Sequence, residues 1–182
     1  MFSIAQQYER WPYPKVPIFA RIHREQLWQI NLDWLSANCG VGAVKNPRIW
    51  IAGCGTFQPY VFSRANPTAQ ILATDIAQSS LRLAQRRCRW HGVKNVRFET
   101  VDLNKEEQLP EGPFDYIECY GVLMNLQRPD LALRRLKSRL APNGILRLMV
   151  YPHYGRQRVL QIQRLAKLLG LTAEDPQHPL WL

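Results

Sequence analysis

Ile49-Trp50-Ile51-Ala52-Gly53-Cys54-Gly55-Thr56 joins an apolar run to two glycines one residue apart, and Asp75 follows twenty positions after Gly55. Ile49 to Ala52 reads as a buried parallel strand, and the glycines allow a sharp turn that brings backbone close to a ligand. Asp75 closes a second apolar run, Ile71-Leu72-Ala73-Thr74, which places its carboxylate at the carboxyl edge of a neighbouring strand. A ribose with two free hydroxyls suits that position. The dinucleotide fingerprint asks for a third glycine, and Gln58 stands there instead.

The elements around this turn alternate. Strands are expected at Arg48 to Ala52, Gln70 to Thr74, Val96 to Val101, Phe114 to Cys119 and Ile145 to Val150. Helices are expected at His23 to Ala37, closed by Gly40 and Gly42, and near Pro59 to Arg64, Ser79 to Trp90, Pro129 to Leu140 and Arg156 to Leu169. Strands alternating with helices imply an α/β chain, a parallel sheet with helices on both faces and right-handed crossovers. Ligands of such sheets bind beyond the carboxyl ends of the strands. The residues to inspect are therefore Gly53 to Gln58, Asp75, Asp102-Leu103, Tyr120-Gly121 and Tyr151 to Tyr154. Asp102 can accept from an exocyclic amine or can cap a turn, and the sequence leaves both open.

With 182 residues, of which 46% are hydrophobic and 21% charged, the composition is that of one globular domain. That domain reads as an N-terminal segment and helix over 1–45, a core over 46–155, and a C-terminal helix and tail over 156–182. No apolar run approaches the roughly 18 residues of a membrane span. The N-terminus, with Glu9, Arg10 and three prolines by Pro17, does not read as a signal peptide, so the cytoplasm is the expected location. Cys39, Cys54, Cys88 and Cys119 form no C-x-x-C pair, so neither a metal site nor a disulfide framework is expected. The net charge of +10 invites a nucleic-acid partner. The basic residues sit among leucines at helical spacing, however, including Arg82, Arg86, Arg87 and Arg89, and this reads as solvated helix faces.

A-G-C-G-T at 52 to 56, A-T-D-I at 73 to 76, V-D-L at 101 to 103, F-D-Y-I-E-C-Y-G-V-L at 114 to 123 and L-A-P-N-G-I-L at 140 to 146 carry a resemblance. In order and spacing they are similar to the successive motifs of class I S-adenosylmethionine-dependent methyltransferases. The chain further resembles a bacterial group with an A-G-C-G-T-G-Q loop and an N-terminal Y-E-x-x-P-Y-P segment, matched here by Tyr8 to Pro14 and by Gln58. The resemblance implies a Rossmann-like sheet of about five strands in the order 3-2-1-4-5, and S-adenosyl-L-methionine as cofactor. It implies cofactor contacts at Ala52, Gly53, Cys54, Gly55, Thr56, Gln58, Asp75, Ile76, Asp102, Leu103 and Tyr120. Three departures accompany it. Phe57 stands at the family's third glycine, Met124-Asn125 replaces paired histidines, and the chain after Leu169 is too short for the antiparallel hairpin that normally completes the sheet.

Methyl transfer from a sulfonium is mostly positioning. A base is needed only where the acceptor must lose a proton, and His153 and Tyr151 are the nearest candidates beyond the fifth strand. The leading expectation is a methyltransferase acting on an unidentified acceptor. Its alternatives are a non-catalytic cofactor- or partner-binding module, an RNA methyltransferase suggested by the charge, and a nicotinamide-dependent oxidoreductase disfavoured by Gln58. A fifth strand left as a sheet border invites pairing with a second copy, or cover from the tail at Leu180-Trp181-Leu182.

Overall fold

The computed structural model describes residues 3–23, 25, 27–152 and 154–170. They group into two compact units, one ending at Val150 and one beginning at Tyr151. In the first unit the strands are β1 (Arg48–Ala52), β2 (Gln70–Asp75), β3 (Val96–Thr100), β4 (Phe114–Tyr120) and β5 (Leu140–Met149). All pairings are parallel and the order is β3-β2-β1-β4-β5, the expected doubly wound sheet. The expected boundaries of β1 hold, and those of β2 to β4 shift by a single residue.

β1 is central because every residue after Arg48 is apolar and buried on both faces, as inner parallel strands require. Ile49 and Ile51 join Phe62, Leu32 and Ile71 in one core, while Trp50 and Ala52 join Ile117, Cys119 and Leu136 in the other. Side chains that alternate across one strand thus anchor both helical layers. The layers use α2 (Leu32–Cys39), α3 (Gln58–Ala65), α4 (Gln78–Trp90) and α5 (Pro129–Ser138), and α1 (Ile4–Arg10) precedes them. The second unit holds α6 (Gln157–Leu168).

Two expected elements are corrected. The helix expected over His23 to Ala37 is a short 3-10 turn at Trp28–Ile30 followed by α2 from Leu32 to Cys39. Asn31 makes the break: its backbone is extended, and its side chain accepts from the Trp34 amide as an N-cap. Gly40 closes α2 in the left-handed region, as expected. The helix expected to run to Leu140 stops at Ser138, because β5 already begins at Leu140, opposite Phe114. A register irregularity between Phe114 and Tyr116 absorbs the turn-like Pro142-Asn143 sequence within that strand. β5 pairs only with β4 among the described residues, so it borders the sheet. The tail expected to cover it lies outside the described residues.

Inside this border a buried carboxylate crosses the sheet. Glu118 is 0% exposed, accepts from the Tyr116 hydroxyl, and lies 3.2 Å from an Nη of Arg147, its register partner on β5. Burial pushes its pKa up to about 6, against the pull of the tyrosine and the arginine. Between 4.5 and about 6 the native state holds a proton that the unfolded chain has released. The contribution of this group to stability is therefore full below the ordinary value and lost as pH rises through the folded one. The loss amounts to about 2 kcal/mol. Glu118→Gln is expected to abolish that part of the pH dependence in urea unfolding. Parallel decline of variant and wild type between pH 4.5 and 7.5 would show that Glu118 does not titrate there.

Candidate functional site

The turn after β1 is built by left-handed glycines, Gly53 at φ +78° and Gly55 at φ +56°. Both glycines are required for space as well as for conformation. A Cβ on Gly53 would stand 2.3 Å from Cγ2 of Val122, and one on Gly55 would stand 2.6 Å from the Tyr13 carbonyl oxygen. The loop is thus pressed between the segment after β4 and the N-terminal Tyr13-Pro14 segment.

Its amides are fully engaged. Gly53 and Cys54 donate to the Thr74 carbonyl at 2.9 and 2.8 Å, Gly55 donates to Asp75 Oδ2 at 2.8 Å, and Thr56 donates to the Tyr13 carbonyl at 3.1 Å. A phosphate-binding loop needs such amides free to point at the anion. This one offers none between Gly53 and Thr56, which argues against a pyrophosphate ligand and against the nicotinamide reading.

Asp75 therefore has a structural task at the end of β2. Its two oxygens accept from Gly55 and, at 3.0 Å, from Ala77. An ionised carboxylate has about four lone-pair sites, so roughly two remain for a ligand's hydroxyls. Burial is the main cause that raises its pKa, with the Glu9 carboxylate adding to it. Glu9 itself accepts from the amides of Gln78 and Ser79. It thereby caps α4, whose own Ala77 supplies no side-chain cap. Desolvation is the largest single influence on the Glu9 pKa and raises it, but the hydrogen bonds from Ser79 and Gln78, with Arg82, together outweigh it and leave the pKa lowered.

Asp102 follows β3 and accepts from both the amide and the side-chain nitrogen of Asn104, at 3.0 and 2.9 Å. This is the turn-capping geometry that the sequence left open for it. The other expected contacts separate by burial. Ala52, Cys54, Thr56 and Leu103 are buried in the protein's own packing, whereas Gly53, Gly55, Gln58, Asp75, Ile76 and Asp102 are partly exposed, and Tyr120 is open at the end of β4. Burial and the nearby Asp75 carboxylate raise the Cys54 thiol well above its ordinary range, which makes it inert as a thiolate. Tyr120 lies against Arg147, whose guanidinium is 5.3 Å from the ring centre. Gln58 Oε1 is buried without a hydrogen-bond partner among the described residues, at the first turn of α3.

Tyr151 belongs to the second unit, where Arg156 lies over its ring at 4.1 Å, and His153 is outside the described residues. Phe57, at the position of the family's third glycine, is the N-cap residue of α3, edge-on to Tyr60 and 4.8 Å from the guanidinium of Arg87. That arginine corrects the reading of α4 as a wholly solvated basic face, since it is 2% exposed. It falls on the buried stripe with Leu81, Ala84 and Cys88, a spacing that gave the available signal. Sequence reasoning also missed Glu9, which caps α4 from far along the chain, and Val122, which abuts Gly53. The N-terminal Tyr8 to Pro14 segment was the pointer to the first of them.

A family model described as a methyltransferase domain matches residues 51–146. An uncharacterised protein of Synechococcus sp. is 37% identical over 171 residues, 92% of this chain and 41% of its own length. A malonyl-[acyl-carrier protein] O-methyltransferase of Bacillus cereus is 33% identical over 107 residues, 58% of this chain and 38% of its own length. The chain spans about two-fifths of the curated relatives it matches. Among solved structures, the [4+2]-cyclase SpnF aligns with TM-score 0.55 and 25% identity, over 75% of this chain and 49% of that one. An S-adenosylmethionine-dependent methyltransferase from Clostridium acetobutylicum aligns with TM-score 0.61 at 16% identity, over 86% of this chain and 59% of that one, a likeness of fold.

Proposed function

The chain belongs to the methyltransferase-domain family, and on that premise we propose that it binds S-adenosylmethionine at the glycine loop and transfers the methyl group to a separate acceptor. The observation that carries this reading is the junction of Gly55 with Asp75. One hydrogen bond fixes a left-handed glycine turn against a carboxylate that keeps acceptor capacity, at the carboxyl edge of adjacent parallel strands.

The residues present fit the cofactor. Asp75 suits the ribose hydroxyls. The unpartnered Gln58 Oε1 suits a cationic amine, and a buried acceptor left without a partner is uncommon in a folded chain. Gly53 and Gly55 give the turn its left-handed course, while the space beside their Cα atoms is taken by Val122 and the Tyr13 carbonyl. The engagement of the loop amides suits a ligand whose contacts there are not phosphates.

When bound, the cofactor supplies an electrophilic methyl carbon on a sulfonium whose departure leaves a neutral thioether. The protein's part is to hold that carbon in line with the acceptor, which can be worth on the order of 7 to 11 kcal/mol. Tyr120, Val122 and the 3-10 turn at Leu123–Asn125 follow β4, and Val122 abuts Gly53. An acceptor held beside the loop would meet these residues. The acceptor is unidentified, and the cytoplasmic location belongs to the same proposal. For the membrane, no described helix is long and apolar enough to cross one.

A cofactor-binding module without methyl transfer is the second reading. It is favoured by the solved neighbour with this fold that is named as a cyclase, since a fold alone does not fix its chemistry.

Titration calorimetry with S-adenosylmethionine and S-adenosylhomocysteine tests the cofactor. Saturable heat is expected, and none at millimolar ligand would sink both readings. Given binding, methyl release across a panel of acceptors separates enzyme from binder.

A further inference from the structure

The N-terminal segment Tyr13 to Ile18 lies across the glycine loop, held there by a side chain that the proposed chemistry does not otherwise use. Arg87 is 2% exposed, yet it meets no carboxylate among the described residues. Its Nε donates to the Thr56 carbonyl at 3.2 Å, Nη2 to Val16 at 2.6 Å, and Nη1 to Pro17 at 2.8 Å and Ile18 at 3.4 Å. The Phe57 ring covers its face at 4.8 Å. Burying a guanidinium is unfavourable unless its donors are answered, and here backbone carbonyls of two separate segments answer them.

Thr56 is the shared point. Its carbonyl goes to Arg87, its amide to Tyr13, and its hydroxyl to the Pro14 carbonyl. The His91 ring, at the C-cap of α4, reaches the Ile18 carbonyl at 2.9 Å, so Arg87 and His91 hold the Val16 to Ile18 end of the segment while Thr56 holds Tyr13 and Pro14. A planar fork with five donors can span these acceptors, whereas an ammonium on a flexible stem cannot.

We propose that Arg87 is a positioning residue for the cofactor loop, making the loop's ligand-binding shape conditional on the docked N-terminal segment. Docking of the segment and binding of the cofactor then favour each other, by the reciprocity of linked equilibria. The proposal rests on the S-adenosylmethionine reading of the site.

The test combines amide hydrogen exchange with calorimetry, using S-adenosylhomocysteine as the probe. In the wild type, the ligand is expected to slow exchange at Tyr13, Lys15, Val16 and Ile18 by about tenfold or more. Arg87→Met, without ligand, is expected to speed exchange at these residues and at Thr56 while β1 and β4 stay protected. Its affinity is expected to fall by about 10- to 100-fold, within the usual range of coupling between sites. Arg87→Lys is expected not to restore it.

Should Arg87→Met fail to fold, Thr56→Val removes only the hydroxyl tie to Pro14 and is read the same way, with a smaller loss. Wild-type affinity in a folded variant whose segment exchanges freely would overturn the proposal, as would wild-type segment exchange indifferent to ligand. Absence of heat with the wild type would instead overturn the cofactor reading, and the coupling with it.

Discussion

Gly53→Ala is expected to destabilise the fold by about 3 kcal/mol and to abolish binding of S-adenosylhomocysteine, with much of the loss returning when Val122→Ala is added. Two costs combine at this position. A left-handed backbone costs a residue with a Cβ about 1–2 kcal/mol. The new Cβ would also stand 2.3 Å from Cγ2 of Val122 and 3.3 Å from Cγ1, and such overpacking costs roughly 1–3 kcal/mol. Val122→Ala removes both offending atoms and leaves Val122 Cβ at an ordinary 3.4 Å. The conformational cost stays.

A double-mutant cycle in urea unfolding should therefore show favourable coupling between the two substitutions of about 1–3 kcal/mol. Simple additivity would mean that Val122 does not limit the turn. Gly55→Ala makes a useful contrast, because its Cβ would meet the Tyr13 carbonyl at 2.6 Å. That oxygen belongs to the backbone, so no side-chain change can relieve it.

Asp75→Ala is expected to lower S-adenosylhomocysteine affinity by at least about 100-fold, or about 2.7 kcal/mol. The substitution withdraws the acceptors of Gly55 and Ala77 as well as those proposed for the ribose. Hydrogen bonds to a charged acceptor are each worth about 1.5–3 kcal/mol. Part of that is offset in the free protein, because burying the carboxylate is itself unfavourable.

Asp75→Asn is not expected to rescue binding. An amide presents one acceptor oxygen and one NH2, and the NH2 would face a backbone N–H where Asp75 now accepts. Calorimetry of both variants, with circular dichroism to confirm the fold, checks this. Retained affinity in Asp75→Ala would remove Asp75 from the site.

The sheet was legible because its inner strands leave few alternatives. Ile49 to Ala52 and Ile71 to Thr74 are short apolar runs ending in glycine or aspartate, and buried parallel strands read that way. The glycine turn and Asp75 were legible for the same reason, since a doubly wound fold places its ligand at those strand ends.

What escaped lies in contacts between residues far apart in the chain. Leu27, Ile30, Trp34 and Leu35 have helical spacing, yet the cap at Asn31 divides them. Leu140 to Gly144 contains Pro142 and Asn143 and reads as a turn, while its pairing with Phe114 extends β5 across it. Arg87 has the charge of a surface residue, and only its position on the α4 stripe marks it as buried. Glu9 caps a helix nearly seventy residues away, which no local pattern encodes.

The crossing of the glycine loop by residues 13 to 18 also orders events during folding. Thr56 and Arg87 meet that segment at sequence separations of 42 and 71 residues, with β1 and α3 lying between the segment and Arg87. That segment is therefore expected to be among the last of the described parts to find its place. Contacts of such long sequence separation carry a loop-closure cost that must be met before they stabilise anything. The sheet can assemble before the loop is finished, so native strands are no guarantee of a finished binding site.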